Sequence, residues 1–186
     1  MNSMGTRAWS SVGKKLISGL TGLGLVVFVV SHLTGNLLLF AGADAFNRYG
    51  YFLEHVGHGV LIYLVEAGLV AFFLMHIASG VSVWRRKAAV RPVGYAVRAD
   101  AGAPSHKSLS SRSMLLSGLL LAVYVPLHVA HFKFGGPAII QIDGHEARDL
   151  YSLVVREFKS PLIITLYCGA MLFLGLHLRL GIWSML

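Results

Sequence analysis

Four histidines stand where an imidazole is costly to place. His32, His76, His128 and His177 each lie inside an apolar run long enough to cross a bilayer, the first in VVFVVSHLTGNLLLF (26–40). A polar side chain in hydrocarbon must find a partner, and an ionisable residue there marks a functional site by default. Helical rise fixes the relative depths. At about 1.5 Å per residue, His32 and His128 each fall about 7 Å from the middle of their runs towards one side. His76 and His177, on runs of the opposite direction, fall about 6–7 Å towards the other side. The four therefore sort into two pairs, His32 with His128 and His76 with His177, in layers about 14 Å apart.

Two stacked pairs of histidines in a helical bundle are what two haem groups require. Neutral imidazole is a natural axial ligand of iron, and bundles build cofactor sites from side chains on facing helices. A porphyrin plate needs small residues beside it, which Gly19, Gly22, Gly24, Gly80, Gly118, Gly175 and Gly181 supply. Iron held by two histidines has no open position, which points to electron transfer rather than oxygen chemistry. The sequence has no Cys-x-x-Cys-His for covalent attachment, so the expected groups are two haem b. The alternative is that each histidine hydrogen-bonds a serine or a backbone carbonyl of a neighbouring helix. Four histidines in two matched layers weigh against it. Zinc or copper would want ligands clustered at one depth with Cys or carboxylates nearby. His131, one turn beyond His128, competes with it as the ligand of that layer. His55, His58, His106 and His145 fall in loops or at helix ends and are expected at the surface.

The elements that must hold these residues follow from composition. The chain has 186 residues, 55% hydrophobic and only 13% charged, with a mean hydropathy of +0.68. A soluble domain carries about a quarter charged residues, so this is an integral membrane protein. Four windows, 15–40, 59–84, 113–133 and 161–183, reach or approach the length that spans hydrocarbon. None alternates as a barrel strand does. The expected fold is an all-α membrane bundle of four spanning helices in a single domain. The first run is longer than the apolar region of a signal peptide and is read as a retained helix. Pro126 predicts a kink in the third span. Ser160-Pro161 opens the fourth with an N-cap and a proline at the first helical position. The single Cys168 excludes an intramolecular disulfide.

The formal net charge of +8 is unevenly placed. Arg85, Arg86, Lys87, Arg91, Arg98, Lys107 and Arg112 crowd the 85–112 loop against Asp100, and Arg7, Lys14 and Lys15 precede the first span. By the positive-inside rule the N-terminus and this loop are cytoplasmic, which puts Trp9, Trp84 and Trp183 at the same inner interface. Topology accounts for the basic loop, and no nucleic-acid partner is implied. The outer loops, 41–58 and 134–160, are too long for simple turns and are expected to form short surface helices or caps. A weak internal repeat runs through the spans. Thr21-Gly22 and Ser117-Gly118 each precede a histidine after nine residues, and His76 and His177 are each followed four residues on by Gly80 and Gly181.

The stretches SHLTGNLLLFAGADAFNRYGYFLEHVGH, LMHIASGVSVWRR with RPVGYA, SRSMLLSGLLLAVYVPLHVAHF and GLHLRLGIWS resemble the cytochrome b membrane anchor of succinate:quinone oxidoreductases, the succinate dehydrogenases and fumarate reductases. The likeness is to the class in which one polypeptide holds two haem b groups. It implies His32 and His128 as ligands of an outer haem and His76 and His177 as ligands of an inner one. It also implies a cytoplasmic flavoprotein and an iron–sulfur subunit as partners, and a quinone, usually menaquinone, in the cytoplasmic membrane of a prokaryote. This chain has no nucleotide-binding glycine fingerprint and no cysteine cluster, so dehydrogenase chemistry would belong to those partners. Members of the family continue into a fifth spanning helix where this sequence ends at Leu186. Some carry a glutamate two residues before the last ligand, where Gly175 stands here, which tilts the expectation towards succinate oxidation.

Quinone chemistry moves protons, so acids near the ring are sought. Glu66 is the single acid within a spanning run, about 9 Å outward of its middle. It is expected either to handle protons or to pair with another helix. Glu54, in the first outer loop, aligns with a family glutamate implicated in menaquinol oxidation; its alternative is a solvated loop acid. Ser18, Arg112 and Arg179 are candidates to meet haem propionates, and both arginines serve equally well as topological anchors. Two other classes remain open: the membrane cytochrome of a hydrogenase, formate dehydrogenase or nitrate reductase, and a non-redox anchor or transporter whose histidines are hydrogen-bonded.

Overall fold

The structure, a computed structural model, describes residues 11–90 and 109–183. The N-terminal tail, most of the basic 85–112 loop, His106 and the side chains of Arg112 and Trp183 lie outside the described residues. Helix α1 (Ser11–Asn36) runs into a 3-10 turn (Leu37–Ala41), followed by α2 (Ala43–His55), α3 (Val60–Val90) and α4 (Leu109–Phe132). Strands β1 (Ile139–Ile142) and β2 (His145–Arg148), then α5 (Leu150–Glu157) and α6 (Pro161–Trp183), complete the order. Among the described residues, four segments are long and apolar enough to cross a membrane: Val12–Ala41, Val60–Arg86, Met114–Phe132 and Pro161–Ile182. The chain is a multi-pass membrane protein, and its helices form the expected bundle.

Local chemistry sets the helix limits. The Ser160 carbonyl accepts from the Ile164 N–H at 3.1 Å, which starts α6 at its proline. Helix α4 continues through Pro126 to Phe132. In lipid the large apolar side chains turn outward, and Leu64, Leu119 and Leu172 are all exposed. The buried residues of the spans are mostly small and polar, namely Thr21, Ser79 and Ser117. That is the composition expected where helices meet in a membrane. Helix α1 packs along α3 and α4 packs along α6, which gives two helical hairpins. Across the hairpins, α1 meets α6 and α3 meets α4 at only a few points.

The 134–160 connection, expected to form short surface helices or a cap, forms a cap that is not purely helical. Besides α5 it contains an antiparallel β-hairpin, with Ile139 opposite Arg148 and Ile142 opposite His145. Asp143 and Gly144 form its two-residue turn with φ of 51° and 80°. Positive φ at both positions matches the right-handed twist of the strands, and Asp-Gly is a favoured pair there. Ile142 and Ala147 point to one buried face and join Phe46 of α2 and Leu153 of α5 in a small apolar core.

Polar side chains tie this cap together. Asn47, 2% exposed, donates from Nδ2 to Asp149 at 2.9 Å and accepts the Tyr151 N–H at 2.9 Å. Asp149 also accepts from the Ser152 N–H at 3.1 Å, which caps α5. Arg48 bonds Asp44 at 2.8 Å and the hairpin-tip carboxylate of Asp143. Arg148 donates to the Lys133 and Phe132 carbonyls at 2.7 and 3.2 Å, closing the end of α4, and pairs with Glu54 at 3.2 Å. The Arg48 guanidinium holds Asp143 below the ordinary carboxylate range. Burial works against the Asp149 carboxylate, but hydrogen bonds from Ser152 and Asn47 outweigh it and hold that group low as well.

Replacing Asn47 with Leu strands the Tyr151 N–H and one partner of Asp149. An unpaired buried group costs about 1–3 kcal/mol, so Asn47→Leu should speed proteolysis and amide exchange across 134–160 while the spanning helices stay protected. Acid should act on the same region. Asp143 and Asp149 have folded pKa values below their unfolded ones, so their stabilisation is complete above the unfolded values, about pH 4, and fades as pH falls through the folded ones. Amide exchange in 139–157 should therefore rise below about pH 4, ahead of any change in α1, α3, α4 or α6.

Candidate functional site

The structure brings His32 to His128 and His76 to His177, each pair spanning the two hairpins. The first pair has ring centroids 5.8 Å apart with planes at 81°. The second has centroids 6.1 Å apart with planes at 73°. A metal about 2 Å from one nitrogen of each of two opposed imidazoles sets their centroids about 6 Å apart. The ring separations at both levels suit one metal held between two imidazoles. Among the described residues no group of three or more His, Cys, Asp or Glu could hold a bare metal ion.

The His76/His177 pair is held from within each hairpin. His76 Nδ1 donates to the Ser18 carbonyl at 3.1 Å and lies 3.4 Å from the Thr21 hydroxyl. His177 Nδ1 meets the Ser117 hydroxyl at 3.2 Å. Gly22 and Gly118 make room for these rings: a Cβ there would stand 3.1 Å from His76 Cε1 and 3.2 Å from His177 Cε1. Both were expected to supply small surfaces beside a porphyrin plate; the side chains nearest to them in the structure are these imidazoles. Gly24 likewise backs onto the Phe72 ring, whereas Gly80, Gly175 and Gly181 face open space.

The His32/His128 pair sits in an aromatic setting. Phe28 stacks on His32 at 5.5 Å, and Tyr124 stacks on His128 at 5.7 Å. Tyr167 stands edge-on to His128 at 5.8 Å. His128 Nδ1 is buried without a hydrogen-bond partner, so hydrogen bonding does not account for its position. His131, the competing ligand, has both nitrogens engaged: Nδ1 with the Tyr167 hydroxyl at 3.1 Å and Nε2 with Glu157 at 3.0 Å. Hydrogen bonds from His131 and Arg156 hold the Glu157 carboxylate below its usual range.

The candidate acids are paired. Lys133, just past the end of α4, forms an ion pair with Glu66, and Arg148 pairs with Glu54 at 3.2 Å. Proton handling by either acid would run through a partner cation. Ser18 belongs to the His76/His177 level, but through its backbone carbonyl. Arg179 is exposed two residues beyond His177. Sequence reasoning missed Lys133 as a partner, the Tyr124 and Tyr167 surround, and the roles of Thr21 and Ser117. The last two carried a signal in the internal repeat.

No family model, no curated protein and no solved structure matches this chain.

The Glu66 and Lys133 side chains are 33% and 38% exposed, so the pair stabilises by about 1 kcal/mol or less. Glu66→Gln should leave thermal stability nearly unchanged and raise the rate at which an amine-directed reagent labels Lys133. Unchanged labelling would mean that the pair does not persist in lipid.

Proposed function

We propose that this chain is the di-haem b membrane anchor of a succinate:quinone oxidoreductase. The observation that carries the reading is the pair of histidine couples, each bridging the two hairpins at a separation suited to one metal between two imidazoles. His32 with His128 would hold one haem iron and His76 with His177 the other. When bound, each iron would supply a one-electron carrier with no open coordination position.

The chain's own residues then do three things. The imidazoles of each couple bind from opposite hairpins. The Ser18 carbonyl and the Thr21 and Ser117 hydroxyls orient the rings of one layer. Apolar and aromatic side chains, Phe28, Phe132 and Phe158 among them, exclude water from the other layer. On this reading a cytoplasmic flavoprotein and an iron–sulfur subunit dock at the side of the basic 85–112 loop, and electrons pass to a quinone, menaquinone in most of the class. Glu54 and Glu66, with their cations, are the acids nearest the far end for proton exchange. The membrane would be the cytoplasmic membrane of a prokaryote.

One observation favours the non-redox alternative: His76 and His177 are hydrogen-bonded to neighbouring helices. Each uses only Nδ1 in doing so, and His128 has no partner on that atom. A pyridine haemochrome assay decides between the readings. Two haems per chain, with a flavoprotein and an iron–sulfur protein copurifying, are expected. A chain that holds none would sink the proposal, and a different redox partner would move it to another quinone-linked dehydrogenase.

Substitution tests the pairing. His76→Ala and His177→Ala should each remove the same spectral component and interrupt succinate-driven quinone reduction. His32→Ala and His128→Ala should each remove the other component. Loss of one component by both His32→Ala and His76→Ala would contradict the couples.

A further inference from the structure

Resting on the reading of the histidine couples above, we propose that Thr21 and Ser117 are positioning residues that fix His76 and His177 as Nδ1–H tautomers through a duplicated hydroxyl contact. The duplication shows in sequence as Thr21-Gly22 on α1 and Ser117-Gly118 on α4. In three dimensions each dipeptide serves the histidine of the next spanning helix, not that of its own. Three residues before Thr21, the backbone carbonyl of Ser18 faces the His76 ring as well.

The donors and acceptors around the rings favour one assignment of the protons. A carbonyl oxygen only accepts, so the His76 Nδ1 that faces Ser18 at 3.1 Å carries a proton. The Thr21 hydroxyl proton is committed to the Ile17 carbonyl at 2.6 Å, which leaves its oxygen to accept from the ring. Ser117 repeats the pattern. It donates to the Met114 carbonyl at 3.1 Å, and its oxygen accepts from His177 Nδ1 at 3.2 Å. A neutral imidazole protonated at Nδ1 keeps its lone pair at Nε2. Metal-ligating histidines are commonly oriented in this way, by a hydrogen bond from the other nitrogen.

Burial and space support the assignment. Thr21 is 5% exposed and Ser117 0%, so water does not compete for these bonds. The adjacent Gly22 and Gly118 leave only enough room for the imidazole edges. The other layer is built differently, since His128 Nδ1 is buried and unpartnered. The device therefore belongs to one level of the bundle.

Nitrogen-15 spectra of the full chain in lipid, labelled at histidine and kept reduced, read the tautomers of the unsubstituted protein. His76 and His177 should both be δ-protonated. Thr21→Val should perturb one of these signals and Ser117→Ala the other, with Thr21→Ser close to the parent. An ε-protonated His76 or His177 overturns the proposal, and it does so whether or not a variant assembles. In the haem-loaded chain, losing an acceptor for Nδ1–H lowers ligand basicity. One component of a potentiometric titration should then move upward in Thr21→Val and Ser117→Ala, while the other stays and Thr21→Ser restores the parent value. Displacement of both components, or of neither, overturns the positioning role. A chain found to hold no haem fails the function proposed above, and the tautomers then decide this inference alone.

Discussion

Inside a bilayer no water is on hand to complete a hydrogen bond, and the arrangement of the spans follows from that shortage. The buried hydroxyls of the helices each return their proton to their own backbone. Thr21 donates to the Ile17 carbonyl, Ser79 to the His76 carbonyl and Ser117 to the Met114 carbonyl. A hydroxyl satisfied in this way has only lone pairs left, so what it can present to a neighbouring helix is an acceptor. The imidazoles of His76 and His177 use those of Thr21 and Ser117. Two of the four histidines of the couples are thereby held in place by helix α1 or α4, at no cost in unpaired donors.

The same shortage turns the distribution of apolar residues inside out. Side chains that a soluble protein would bury face lipid here, while, of the five buried apolar residues among those described, Phe46, Ile142, Ala147 and Leu153 sit in the extramembrane cap. Only Leu121 represents the spans among them. The cap is where water is displaced and where the hydrophobic effect can act. Within the spans the hairpins are held by close approach at Gly22, Gly24 and Gly118, consistent with the small-residue contacts that membrane helices use.

How much of this was legible in the sequence depends on what physical rule governs each feature. The spans were, because hydropathy over about 20 residues is nearly sufficient. The facing of His32 with His128 and of His76 with His177 followed from helical rise, which varies little. The partner of Glu66 was not legible, because Lys133 lies beyond a helix end and its reach depends on how the chain turns there. The β-hairpin did carry a signal, the Asp143-Gly144 dipeptide, but its short strands leave most side chains exposed and lack a strong apolar alternation. The glycines were the least legible. A sequence shows that space exists beside them, not whether a cofactor, an imidazole or a phenyl ring fills it. The repeat around Thr21 and Ser117 was visible, yet it relates α1 to α4 while the rings they serve stand on α3 and α6.

That crossing of partners has a consequence for how the site is made. Each hairpin carries one histidine of each couple, so neither hairpin can form a couple by itself. Contacts inside a hairpin orient the His76 and His177 rings, but the distance between the rings of a couple is set by how the hairpins dock. Contacts between the spans of different hairpins are sparse, which leaves the docking to be fixed elsewhere. The cap is the element that joins them. Helix α2 lies in the connection between α1 and α3, whereas β1, β2 and α5 lie in the connection between α4 and α6. Asn47 to Asp149, Arg48 to Asp143 and Arg148 to Glu54 all cross from one half to the other. These contacts tie the two hairpins together outside the apolar spans, where charge and hydrogen bonding can specify a geometry that lipid-facing side chains cannot.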